Sequence, residues 1–96
     1  MADASQRLIV ITGATRGLGR AMAEGFAALG HTVVGCGRSA AELERLRESP
    51  GDPHDFEVVD VSRGDQVKAW AARILDRHGV PDLLVNNAGE IGRAHV

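Results

Sequence analysis

Ninety-six residues allow at most one domain, near the lower limit for a chain that builds its own core. The composition is 44% hydrophobic and 25% charged with a net charge of −2 and scattered basic residues, which argues against a nucleic-acid surface or a polybasic membrane patch. One cysteine, Cys36, excludes an internal disulfide, and with no signal-peptide pattern or membrane-length apolar run a cytoplasmic setting is expected.

Leu8-Ile9-Val10-Ile11 is a short β-branched run that predicts a buried strand over 8–12. It feeds directly into Thr12-Gly13-Ala14-Thr15-Arg16-Gly17-Leu18-Gly19, a glycine-rich turn, and then into a helix over 18–29 stopped by Gly30. Gly25 within that helix costs about 1 kcal/mol relative to alanine, and close packing against a sheet is the expected compensation. Residues 32–37 read as a second strand. Ser39 is predicted to cap a helix from 40 to about 48, with Glu42 as its capping-box partner. The Pro50-Gly51-Asp52-Pro53 cluster is a turn, followed by a third strand over 55–59. Ser62, with Asp65 three residues on, is predicted to cap a further helix. The apolar stripe of that helix is Val67, Trp70, Ala71, Ile74 and Leu75. Gly79-Val80-Pro81 ends it, and 83–85 form a fourth strand entering Asn86-Asn87-Ala88-Gly89.

This β-α-β-α-β-α-β alternation with near-continuously apolar strands predicts an α/β fold, a doubly wound parallel sheet of strand order 3-2-1-4. Ligands bind such sheets at the switch point between the first and fourth strands. A strand, a glycine turn and a helix N-terminus in succession make a phosphate site. The glycines let the main chain approach the ligand, and the free amides with the positive helix end stabilise its charge.

The spacing Thr-Gly-x-x-x-Gly-x-Gly at 12–19, together with Asn-Asn-Ala-Gly at 86–89, resembles the short-chain dehydrogenase/reductase family over residues 7–89. The resemblance implies a Rossmann-like fold, truncated here to a partial NAD(P)-binding domain over 1–89. It implies a pyrophosphate turn of Gly13, Gly17 and Gly19, with Thr15, Arg16 and Leu18 in the same loop and Leu18 directed to the nicotinamide side. Asp60 and Val61 match the family pair that holds the adenine. Asn86, Asn87, Ala88 and Gly89 are expected to line the ribose crevice and to brace the fourth strand against the first.

Cofactor choice follows from charge. An enzyme using NAD places an acid after the second strand, where it accepts bonds from the ribose hydroxyls. Here that position reads Gly37-Arg38-Ser39. Arg38 can clamp a 2′-phosphate in a charge-assisted pair, Ser39 can donate another bond, and Arg16 adds a second cation. NADP(H) is therefore expected over NAD(H), although surface exposure without a ligand role remains the alternative for either arginine.

Other residues carry less. His31, His54, His78 and His95 lack metal-ligand spacing, so no metal site is expected. Cys36 reads as a small core residue and Trp70 as packing. Asp65, Lys68, Arg73, Asp76 and Arg77 read as a solvated helix face.

In the family, a serine, a tyrosine and a lysine beyond the fourth strand carry the chemistry. The chain contains no tyrosine, and Ser62 and Lys68 precede the Asn-Asn-Ala-Gly run, so neither takes those roles. The resemblance thus implies a parent oxidoreductase, expected to be homo-oligomeric. It would interconvert a carbonyl and an alcohol on a small molecule by hydride transfer, with no nucleic-acid or membrane partner. No catalytic residue is assigned within these 96, and the chain alone is expected to be inactive. A non-catalytic dinucleotide-binding module, or a truncated chain without activity, is the alternative. Residues 91–96, Ile-Gly-Arg-Ala-His-Val, have neither strand nor helix logic. Back-translated as ATC GGA AGA GCA CAC GTC they match a sequencing adapter, so 90–96 are expected to be a non-native tail. An apolar fourth strand at an open sheet edge is also expected to favour aggregation.

Overall fold

The computed structural model describes residues 6–87; Ala88, Gly89 and the expected tail over 90–96 lie outside the described residues. In chain order the elements are β1 (Leu8–Thr12), α1 (Gly17–Ala28), β2 (Thr32–Gly37), α2 (Ala40–Glu48), β3 (Asp55–Val58), α3 (Gly64–Arg77) and β4 (Leu83–Asn86). The strands form one parallel sheet in the order β3-β2-β1-β4. β3 stops one residue short of the predicted end, yet the Val59 amide still donates to the Gly37 carbonyl at 3.0 Å.

Alternation along the strands sorts side chains to two faces. Ile9, Ile11 and Val33 point to one face, where they pack with Ala23 of α1, Leu43 and Leu46 of α2, and Phe56. Leu8, Val10, Val34 and Cys36 point to the other, against Val59 and against Trp70 and Ile74 of α3. Every residue of β1 is buried because both faces are covered. No helix among the described residues is long and apolar enough to cross a membrane.

The α3 stripe is only partly covered. Trp70 and Ile74 are buried, whereas Leu75 is 55% exposed, as are much of Leu83 and Leu84 on the edge strand β4. Trp70, Ile74, Leu75, Pro81 and Leu84 line an apolar groove of about 430 Å³. The Trp70 Nε1 is buried without a hydrogen-bond partner among the described residues.

Several local expectations change. Gly25 is exposed, and a Cβ there would meet nothing within 4 Å, so close packing does not explain this glycine. The close-packed glycine of α1 is Gly19, where a Cβ would collide with the Gly13 carbonyl. Ser39 does cap α2, its Oγ accepting from the Glu42 amide at 3.2 Å. The Glu42 carboxylate does not complete the box; it pairs with Arg20 and Arg45. Ser62 does not cap α3, whose N-cap is Arg63 with no side-chain bond, because the Ser62 hydroxyl donates to Asp60.

The charged face of α3 is also more than solvated. Arg73 pairs with Glu57 at 2.7 Å, Arg77 reaches Asp55 and Glu57, and His78 Nε2 lies 3.0 Å from Asp55 Oδ2. Carboxylates two residues apart on β3 share a face and so meet cations one helical turn apart. The remaining described histidines serve the main chain: His31 Nδ1 accepts from Arg7 N and His54 Nδ1 from Val33 N, both at 3.0 Å. Burial holds the His54 pKa below its usual value, which keeps the ring a neutral acceptor.

The two α1 glycines are expected to respond oppositely to alanine. Gly25→Ala should raise stability by up to about 1 kcal/mol through helix propensity and unfolded-state entropy. Gly19→Ala should lower it by about 1–3 kcal/mol, since the overlapping atom is main chain. Urea unfolding of both variants, read as a change in midpoint, checks the pair.

Candidate functional site

Three strand ends converge at the carboxyl margin of the sheet, where Thr12 stands in register with Cys36 of β2 and Asn86 of β4. The chain leaves β1 through Gly13 at φ 66 and enters α1 through Gly17 at φ 61, left-handed values that disfavour any side chain. The turn brings Gly19 so close beneath Gly13 that a Cβ would overlap its carbonyl oxygen and lie 2.7 Å from Asn87 Nδ2.

β4 is fastened to this turn by side chains. Thr12 Oγ1 accepts from the Asn87 amide at 2.8 Å and donates to Asn86 Oδ1 at 3.2 Å. Asn87 Nδ2 donates to the Gly13 carbonyl at 3.2 Å. The predicted bracing of the fourth strand against the first is thus visible in hydrogen bonds. On the opposite flank, the Ala14 amide donates to the Cys36 carbonyl at 2.9 Å. Thr15 packs on Gly37 so tightly that a Cβ there would overlap its methyl.

The resulting cleft has a volume of about 720 Å³. It brings together Gly13, Thr15, Arg16, Arg38, Ser39, Asp60, Val61 and Asn87 of the predicted residues. Gly17, Leu18 and Gly19 do not line it. Gly19 is buried beneath the turn, and Leu18 is 67% exposed. Ala88 and Gly89 lie outside the described residues. Reasoning from the sequence missed Cys36, Gly37, Val59, Glu42 and Ser62 as lining. Gly37 carried a signal, since a glycine ending a strand next to a phosphate turn marks a close approach. Glu42 carried none, because its first-turn position is explained by the helix itself.

The charges sort within this cleft. Asp60 Oδ1 accepts from the Ser62 hydroxyl at 2.7 Å and the Ser62 amide at 3.0 Å. Those two bonds, with the fields of Arg38 and Arg63, hold its carboxyl below the usual carboxylate pKa. Gln66 Oε1 accepts from the Asp60 amide at 2.8 Å and fixes the loop. Arg16 and Arg38 are exposed and, among the described residues, neither is taken by an ion pair. First-turn amides of α1 have no acceptor within their own helix. A glycine cradle, a helix N-terminus and two cations outside the ion pairs suit a phosphate-bearing ligand, while a fixed carboxylate in the same cleft suits an amine donor.

Comparison with known proteins points to one family. A family profile described as short chain dehydrogenase matches residues 7–96. The chain is 43% identical over 89 residues to an NADPH-dependent pterin aldehyde reductase of Arabidopsis thaliana, covering 91% of this chain and 37% of that protein. It is 41% identical over 90 residues to a 3beta-hydroxysteroid dehydrogenase of Mediterraneibacter gnavus, covering 91% and 33%. The crystal structure of a short-chain dehydrogenase from Streptomyces avermitilis superposes with a TM-score of 0.84 at 39% identity, covering 92% of this chain and 32% of that one. The chain therefore spans about a third of the length of these relatives.

Two measurements probe the site itself. Thr12→Val strips the Asn87 amide of its acceptor and should lower stability by about 1–3 kcal/mol in urea unfolding. Burial pushes the Cys36 thiol up to about 11, so it stays protonated and should resist iodoacetamide at pH 8 until urea opens the fold. A thiol raised in the folded state stabilises fully below the unfolded value of 9.0. That contribution should fade as pH climbs towards about 11, which unfolding followed across this range would show.

Proposed function

This chain belongs to the short-chain dehydrogenase family of oxidoreductases, and from that footing we propose that its cleft is the adenine-side half of an NADP(H) site. The single observation that carries the reading is the bend at Gly13–Gly19. Gly13 and Gly17 turn there at left-handed φ, Gly19 lies too close to the Gly13 carbonyl to carry a Cβ, and the bend leads straight into the amides of the α1 N-terminus. Gly13, Gly17 and Gly19 shape the bend, Thr15 and Arg16 line the cleft beside the diphosphate, and Leu18 follows the bend towards the nicotinamide side. Asp60 is the acceptor for the adenine amine and Val61 the apolar wall beside the base. Asn87, continuing into Ala88 and Gly89, borders the ribose.

The 2′-phosphate falls to Arg38 and Ser39. Arg38 is free of ion pairs among the described residues, and no acid follows β2 to repel a phosphate. Because the Ser39 oxygen accepts from the Glu42 amide, its proton is available for donation. The NADPH named for the Arabidopsis relative agrees with this choice.

The nicotinamide cofactor would supply or accept hydride in interconverting a small-molecule carbonyl and alcohol. Within this chain the residues bind and orient it. The chain has no tyrosine to exchange the substrate proton, so we assign that step to parts of a longer protein outside these 96 residues. A non-catalytic dinucleotide-binding module is the second reading, favoured by the same lack of a phenol.

Titration of the chain with NADP⁺ and NAD⁺ tests the cofactor choice. NADP⁺ should bind more tightly, and Arg38→Ala should reduce that preference on the order of tenfold, the scale of a charge-assisted hydrogen bond. Equal affinities that do not change in Arg38→Ala would overturn it.

A further inference from the structure

Glu42 is the feature of the cleft that the cofactor reading leaves unexplained. It sits in the first turn of α2, three residues after the cap Ser39, and lines the cleft with Arg38 and Ser39. An acid in a first helical turn is favourable for the helix. Here it also puts a carboxylate at the positive helix end that an incoming phosphate would use, so anion and side chain compete for the same field.

The competition is relieved from a different element. Arg20, near the start of α1, extends Nη1 to Glu42 Oε1 at 3.2 Å, while its Nε pairs with Glu24 at 3.1 Å. Arg45 adds a longer contact to Glu42 Oε2 at 3.5 Å. Both partners of the Arg20–Glu42 pair are about one-third exposed. Arg20 thus joins the helix behind the glycine bend to the helix that opens at Ser39.

We infer that Arg20 is a positioning residue for coenzyme selectivity: by holding and neutralising Glu42, it lets the start of α2 accept a 2′-phosphate. Arg20 acts through Glu42 and makes no contact with the phosphate. The inference rests on the NADP(H) reading above. Its consequence is selective, because removing Arg20 weakens binding of the coenzyme carrying the extra phosphate and spares the one without it.

The test titrates NADP⁺ and NAD⁺ separately into the wild-type chain, Arg20→Met, Arg20→Lys, Glu42→Gln, the double variant combining Arg20→Met with Glu42→Gln, and Arg38→Ala. Arg20→Met should lower the NADP⁺-to-NAD⁺ affinity ratio by about two- to fivefold, the range of a partly exposed ion pair. Arg20→Lys, which keeps a cation within reach, should retain the wild-type ratio. Glu42→Gln should match or exceed it, and in that background Arg20→Met should have no further effect. A ratio unchanged in Arg20→Met, an Arg20→Met effect undiminished in the double variant, or a ratio that falls in Glu42→Gln alone would each overturn the inference. The Glu42→Gln arm decides even where Arg20→Met fails to fold. Arg38→Ala separates the two claims: if it lowers the ratio and Arg20→Met does not, only the role of Arg20 fails. If neither moves the ratio, the NADP(H) reading has failed with it.

Discussion

The approach of Gly19 to the Gly13 carbonyl governs the rest of this architecture. Two stretches of main chain can come this close only when a hydrogen replaces the side chain. Once they do, the axis of α1 is set relative to β1 and its N-terminal amides face the carboxyl margin of the sheet. Asn87 then seals the contact from the β4 side by donating to the same carbonyl. Thr12 adds a second fastening through the Asn87 amide. A bend, a helix and a strand distant in sequence are therefore held together at one corner.

Around that corner the sheet works as a spacer. Apolar residues on its two faces bury α1 and α2 on one side and Trp70 and Ile74 of α3 on the other. This leaves the ends of the strands free for polar work. The loops that follow β2 and β3 bring Arg38 and Asp60 within each other's field, and Ser62 pins the Asp60 carboxylate by two hydrogen bonds. The rim thus carries two exposed arginines, Arg16 and Arg38, together with the fixed carboxylate of Asp60, while Glu42 at the start of α2 is paired with Arg20. A ligand that carries both phosphates and an amine meets complementary charge there. The outer side of β4 is different in kind, with Leu83 and Leu84 exposed beside the apolar groove along α3.

What could be read in advance depended on whether one stretch of chain contained all of its reason. The strands, their parallel order and the cradle glycines were legible, because β-branched runs, helical periodicity and left-handed turns each impose local composition. Gly25 was misleading: a glycine in a helix looks the same whether it packs or is exposed, and here it is exposed. Ser62 was misread for a similar reason, since a cap and an Asp60 clamp need the same hydroxyl at the same place. The α3 arginines read as solvent-facing until β3 supplied Asp55 and Glu57 as partners.

By itself the sequence determined the alternation of strands and helices, the position of the glycine-rich bend, and the presence of an arginine rather than an acid directly after β2. Those properties follow from steric and electrostatic rules acting over a few residues. Only the tertiary structure decided which α1 glycine has no room for a Cβ, that the Thr12 hydroxyl is the group through which Asn86 and Asn87 brace β4, and that Arg20 reaches Glu42 from another helix. Each of these is a contact between segments distant in the chain, with partners fixed by how the helices dock on the sheet, which the spacing of residues along the chain does not encode.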